Sequence, residues 1–270
     1  MIRNKTFWMS LLAALALGLV GCDSDNGENG TGGTGGTGGT GGMNGEMASV
    51  RIAHLAPEIP SAMDTNVDIL VDGATAIEDL EFGESTEFVE LAAGSYTFGV
   101  APAGSTEPVL EIDATLTGGQ ILTVVAIRNV VNAGEGEPPV TVLLFDGSDA
   151  DLTEGEGRVL VGHGADDSLL EPVDVINVDA CPPAVLDDFA FAEVAGPLDL
   201  SATTLNLAFS LTSTGECSAD AGPLAAPVTP DLVTLLIAVD TDTLDQSLAP
   251  AIYALIGDAS GTIPTLDPSP

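Results

Sequence analysis

Val67-Asp68-Ile69-Leu70-Val71-Asp72-Gly73 is the stretch on which the fold turns. Val67 to Val71 is a short run rich in valine, isoleucine and leucine, of strand length. The run closes on Asp72-Gly73, a pair that accepts positive φ and reverses the chain. A strand entering a hairpin is therefore predicted. Outward from it the same rhythm continues, with short runs of valine, isoleucine and leucine broken every 8 to 12 residues by Gly, Pro or Asp pairs. Strands are predicted at 50–54, 67–71, 75–82, 87–91, 96–101, 109–115, 121–129 and 140–145, with turns at Ala93-Gly94, Ala103-Gly104 and Gly118-Gly119. That spacing belongs to an antiparallel sandwich or barrel. No window sustains a helical period.

The pattern then recurs. Arg51-Ile52-Ala53-His54 is echoed by Leu160-Val161-Gly162-His163, and Val67 to Val71 by Val173-Asp174-Val175-Ile176-Asn177. Leu80-x-Phe82-x-Glu84 returns as Phe189-x-Phe191-x-Glu193, and Leu122-Thr123-Val124 as Val233-Thr234-Leu235. The offsets are 109, 106, 109 and 111 residues, constant within loop-length variation, so the chain reads as two homologous modules.

The N-terminal residues set an expected location. Arg3 and Lys5 precede an uncharged apolar run at 7–20, the length of a signal-peptide h-region and short for a membrane span. Leu19-Val20-Gly21-Cys22 resembles the lipobox of bacterial lipoproteins, in which cleavage precedes a cysteine that is then acylated. Two or three acyl chains anchor a protein stably where one is marginal. Cys22 is thus the expected lipidation site, after a signal peptide at 1–21. Residues 22–46 follow as a disordered tether containing four Thr-Gly-Gly repeats. Its formal match to the dinucleotide-binding glycine pattern has neither a strand before it nor a helix after it, and is set aside.

At these residues the chain resembles the bacterial domain of unknown function 4397 family, found singly or in tandem in secreted and lipid-anchored proteins. The resemblance rests on His54-Leu55-Ala56-Pro57-Glu58, on Val67 to Gly73, and on Ala93-Gly94-Ser95-Tyr96. It covers nearly the whole first module. The second departs: Pro57-Glu58 has become Asp166-Asp167, an aliphatic near Leu205 stands for Tyr96, and two cysteines are added. The resemblance implies a β-sandwich and an envelope location, and brings no activity. The expected architecture is all-β: tandem antiparallel β-sandwich modules, Ig-like or transthyretin-like, at 47–145 and 158–260. An acidic linker at 146–157 joins them and a tail at 261–270 follows.

Charge excludes several classes of function. The chain has 41 acidic and 5 basic side chains, and loss of Arg3 and Lys5 leaves only Arg51, Arg128 and Arg158. Such a field repels nucleic acid and anionic lipid surfaces. With no lysine after Lys5, a P-loop, a Schiff base or a Ser-Lys pair is excluded. No Gly-x-Ser-x-Gly elbow, His-Glu-x-x-His or glycosidase-like signature is present.

With Cys22 committed to lipid, Cys181 and Cys217 read as a disulfide in an oxidising compartment. His54 and His163, the two histidines, end the first strand of each module. Each reads as a strand-end imidazole bonded to the following loop, with a metal ligand or general base as the alternative. Asp146, Asp149, Asp151, Glu154 and Glu156 crowd the joint, Asp166-Asp167 follow, and Asp240, Asp242 and Asp245 form an Asp-x-Asp-x-x-Asp run. Loop carboxylates suit Ca²⁺, the possible cofactor, but none fits EF-hand or β-roll spacing, and a solvated acidic surface is the simpler reading. The expectation is a lipid-anchored envelope protein, a non-catalytic binding or structural module for a protein or glycan partner. The alternatives are a calcium-stiffened adhesion module and an unrecognised envelope hydrolase.

Overall fold

The fold rests on a computed structural model that describes residues 46–57, 65–130, 137–147, 152–166, 172–180, 184–211, 221–239, 251–257, 261–262 and 265–266. Cys22, the tether, Cys181, Cys217, Asp149, Asp151, Asp167, Asp240, Asp242 and Asp245 lie outside the described residues. Every described element is a β-strand, and the strands form two sheet pairs.

The Asp72-Gly73 hairpin opens the first pair. Strand β2 (Val67–Val71) turns there into β3 (Ala74–Leu80), with φ of 51° at Asp72 and 76° at Gly73, the double positive φ of a type I′ turn. With β6 (Gly94–Pro102) and β7 (Leu110–Leu116) they form sheet I, in the order β3-β2-β6-β7. Sheet II is built on β1 (Met47–Leu55), β8 (Ile121–Arg128) and β9 (Val140–Asp146). Two short strands, β4 (Glu84–Ser85) and β5 (Val89–Ala92), pair with β1.

The second pair repeats this plan. Sheet III has the order β13-β10-β16-β17-β19, from β10 (Glu156–Gly164), β13 (Val194–Ser201), β16 (Val233–Val239), β17 (Ala251–Ile256) and β19 (Thr265–Leu266). Sheet IV has the order β12-β11-β14-β15, from β11 (Val173–Asn177), β12 (Leu186–Phe189), β14 (Thr203–Leu211) and β15 (Ala221–Val228). The order of sheet I is thus the order of sheet IV. The remaining strand, β18 (Gly261–Thr262), crosses back to pair with β4 at the edge of sheet II.

Pairing is antiparallel except at the centre of sheets II and III, where β1 runs parallel to β8 and β10 parallel to β16. The sequence reading anticipated antiparallel ladders alone. A parallel pair requires a long crossover, and here the strands of sheets I and IV supply it. Strands buried on both faces lose the alternation that marks a one-sided sheet, and β8 and β16 are accordingly almost continuous apolar runs.

That continuity hides register. Ile52 pairs with Val124 and Val161 with Leu236, so Val124 corresponds to Leu236. The echo of Leu122-Thr123-Val124 in Val233-Thr234-Leu235 is therefore one residue out of step. A one-residue slip exchanges the two faces of a strand. Val124 packs between sheets I and II and Leu236 between sheets III and IV, whereas Leu235 faces sheet II.

Three cores result. Val50, Ile52, Val67, Ile69 and Phe98 fill the first sandwich, and Val161, Val173, Val175, Leu207 and Phe209 the second. A third core joins sheet II to sheet III through Leu55, Val125, Ile127, Leu143 and Phe145 against Leu160, Leu235, Ile237, Tyr253 and Leu255. The sheets therefore stack in four layers, I to IV. Glu156 and Gly157, which the sequence reading placed in the linker, are the first residues of β10.

Candidate functional site: the seam between the sheet pairs

Two arginines reach across the layer where sheet II meets sheet III. Arg51, on β1 among apolar neighbours, is 2% exposed. Its Nη1 donates to Gly257 O, just beyond β17, at 2.6 Å, and its Nε donates to Thr123 Oγ1 at 3.3 Å. The guanidinium also lies 4.6 Å from the Phe88 ring centroid, a cation–π contact. Arg128, the last residue of β8, also meets the second sheet pair's part of the chain: its Nη1 lies 3.2 Å from Asp166 Oδ2, just past the end of β10. The Asp166 carboxylate is fully buried and also accepts the Val130 N–H. Asp166 stands where the first module has Pro57, so this departure between the repeats provides a cross-seam acceptor.

Arg158 completes the set. It forms a bidentate pair with its cross-strand partner Asp199, Nε to Oδ1 and Nη2 to Oδ2 both at 2.7 Å. Hydrogen bonds from Arg158 hold the Asp199 carboxyl below the usual carboxylate range. The corresponding cross-strand pair in the first module is Ser49 with Glu90, whose hydroxyl donates to Oε1 at 2.5 Å. All three arginines beyond Arg3 are thus engaged inside the protein, two of them across the seam.

The histidines do not converge. His54 alternates along β1 with Ala53 and Leu55, which face the seam, so its ring lies on the opposite side. Its Nε2 donates to Thr65 O at 2.6 Å, and Nδ1 is buried without a hydrogen-bond partner among the described residues. Burial drives its pKa down to about 4, opposed in part by the bond to Thr65. The ring meets Phe82 edge-on with centroids 6.2 Å apart, and Phe82 meets Tyr253 of sheet III at 6.1 Å. His163 turns the other way, into the second sandwich, with ring centroids of Phe189, Phe191 and Phe209 at 5.9, 6.4 and 6.0 Å. Each imidazole faces its own sandwich with the seam between them, so they make no two-histidine site.

The motif acids are structural. Asp68 accepts the Asp79 N–H at 2.9 Å on Oδ1 and the Gly104 N–H at 2.8 Å on Oδ2. Asp174 repeats the first contact by accepting the Asp188 N–H at 2.9 Å. Asp79 and Asp188 both hold positive φ, 59° and 52°, inside β3 and β12 where the pairing register shifts, so each carboxylate pins a left-handed residue within an edge strand. Asp72 Oδ1 accepts the Thr97 N–H at 3.0 Å, and the Tyr96 hydroxyl donates to Ala92 O at 2.9 Å.

Of the five joint acids, three are described. Asp146 is exposed at the end of β9, Glu154 is exposed in the turn before β10, and Glu156 begins β10 half-buried. Among the described residues no three His, Cys, Asp or Glu side chains converge on a metal-sized site. The seam itself went unread in the sequence; its signals were Arg51 inside an apolar strand and Asp166 in place of Pro57.

Residues 48–175 match the family model named Domain of unknown function (DUF4397). Residues 48–175 thus carry a DUF4397 domain. The match begins in β1, takes in β2 to β9 and runs through β10 to Val175 in β11. The DUF4397 span therefore includes His54, Asp68 and Tyr96, together with Arg128 and Asp166, the cross-seam ion pair. No curated protein matches the chain.

Proposed function

We propose that this is a lipid-anchored protein of the bacterial cell envelope whose sheet pairs act as one rigid, non-catalytic block that binds or supports a protein or glycan partner. One observation carries the reading: the side chains best suited to catalysis are consumed in holding the fold. His54 and His163 are buried in separate sandwiches, Arg51 and Arg128 bridge the seam, and Arg158 is paired with Asp199 within sheet III. What remains outside is predominantly acidic, a surface suited to recognition by charge and shape.

The finer parts of the reading rest on the sequence. Cys22 carries the lipid, the Thr-Gly-Gly segment is the tether, and Cys181 pairs with Cys217 in the oxidising envelope. The second sheet pair is a diverged second copy of the DUF4397 module, a reading supported by its matching strand order. Fractionation of expressing cells tests the anchor. The protein is expected with the membranes, and Cys22→Ala in the soluble envelope fraction; wild type in the soluble fraction would overturn the reading.

A further inference from the structure

Sheet edges in this fold are completed by short extended segments. Strand β18 adds antiparallel to β4 on sheet II, and β19 adds antiparallel to β17 on sheet III. The second case has a counterpart without an occupant. Val142 on β9 pairs with Ala126, the neighbour of His54, as Ile252 on β17 pairs with Ala238, the neighbour of His163. Val142 and Ile252 thus hold the same place in the two sheet pairs. The outer edge at Ile252 is taken by Leu266. Among the described residues, no strand pairs with the outer edge at Val142.

That edge is built to accept a strand. Pro138 and Pro139 stand just before β9, which pairs with β8 in unbroken register from Val140 to Asp146, with no proline, bulge or charge between Val140 and Phe145. These are the devices by which edges are usually blocked. Gly147 N–H donates to Ile121 O, so odd-numbered residues of β9 bond to β8. The N–H and C=O groups of Val142 and Leu144 therefore point outward, and the Leu144 side chain is 48% exposed beside them. The edges of sheets I and IV are different: Glu111 and Asp113 line β7, and Asp187 and Asp188 lie on β12.

We propose that β9 is a strand-addition site for an extended, net-basic segment of a partner protein, which pairs antiparallel with Val142 and Leu144 as β19 pairs with β17. The inference rests on the binding reading above and gives it a surface and a partner class. Charge selects the partner. A second copy brings a formal net charge of −36 against the same charge, which opposes self-pairing. A basic segment is drawn to the acidic surroundings while its backbone takes the uncharged edge.

The probe is a fluorescent Lys-Thr-Val-Thr-Val-Thr-Lys peptide titrated into the purified full-length protein, with amide hydrogen exchange as the local readout. Saturable binding is expected, with new protection at the Val142 and Leu144 amides and little change at Leu143 and Phe145, which β8 already protects. Leu144→Pro removes one outward N–H and spares the β8 ladder; it is expected to weaken binding at least about tenfold. Leu144→Lys, which keeps the backbone and repels the probe, is expected to weaken it as well. The site is overturned if binding does not saturate, if a probe with proline at its central residue binds equally well, or if protection falls elsewhere. Self-association that protects Val142 and Leu144 without peptide would overturn the heterologous partner in favour of a second copy. The titration reads β9 alone, so its failure leaves the proposed function to its own fractionation test.

Discussion

Gly162 of β10 stands directly against Phe145 of β9 across the seam: a Cβ built on the glycine would lie 2.6 Å from Phe145 Cζ and 2.8 Å from Leu143 Cδ1. Gly164 repeats the approach, its Cβ falling 2.8 Å from Ile127 Cγ2. The corresponding residues of β1 are Ala53 and Leu55, which do carry side chains into the seam. Sheet III thus comes close to sheet II because β10 is shaved at two alternate positions.

Gly162→Ala is expected to lower stability by about 1–3 kcal/mol, the usual cost of overpacking a core whose neighbours cannot retreat. Phe145 and Leu143 are both fully buried, so neither ring nor isobutyl group has room to move. The denaturation midpoint is the measurement, with Ala53→Gly as the contrasting cavity-forming change on the other face. An unchanged midpoint for Gly162→Ala would show that the sheets do not meet this closely.

Asp166→Ala removes the buried acceptor shared by Arg128 Nη1 and the Val130 N–H, and is expected to cost about 3 kcal/mol. Because both residues belong to one cross-seam contact, Arg128→Met combined with Asp166→Ala is expected to cost less than the two single changes added together. A double-mutant cycle in denaturant checks this; strict additivity would mean that the pair contributes nothing across the seam.

His54 sets a pH dependence. Its folded pKa of about 4 lies below the ordinary 6.5, so the unfolded chain binds the proton more readily between those values. Stability contributed by the neutral ring is therefore complete above pH 6.5 and is lost as pH falls towards 4. The loss amounts to about 3 kcal/mol at 1.36 kcal/mol per pKa unit. His54→Asn, which can still donate to Thr65 O, should flatten this part of the profile. Subtracting the two pH profiles at constant ionic strength cancels the carboxylates common to both, and parallel profiles would contradict the burial of this ring.

Thermal melts in CaCl₂, MgCl₂ and NaCl of matched ionic strength separate screening from a specific site at the joint acids. Equal stabilisation in all three is expected, because 41 acids on one chain repel each other and any salt screens them. Saturable stabilisation by Ca²⁺ that Mg²⁺ and Na⁺ do not reproduce would instead establish calcium binding.

Much of this protein was legible in its sequence because local physics writes it there. The short apolar run Val67 to Val71 and the positive φ favoured at Asp72-Gly73 specify a strand and its turn within a few residues. The repetition of Val-Asp and of the strand-end histidine pointed to one plan used twice, and Asp68 and Asp174 do hold the same left-handed residue of the neighbouring strand in each. What tertiary structure alone decided is everything that depends on which face of an apolar run meets which neighbour. β8 and β16 are buried on both sides, so their composition carries no register, and Leu235 and Leu236 can be told apart only once sheet II lies against sheet III. The same holds for the seam. Gly162, Arg51 and Asp166 are ordinary letters in a strand, an apolar run and a loop, and their role follows from partners at Phe145, Gly257 and Arg128 that only folding brings within reach.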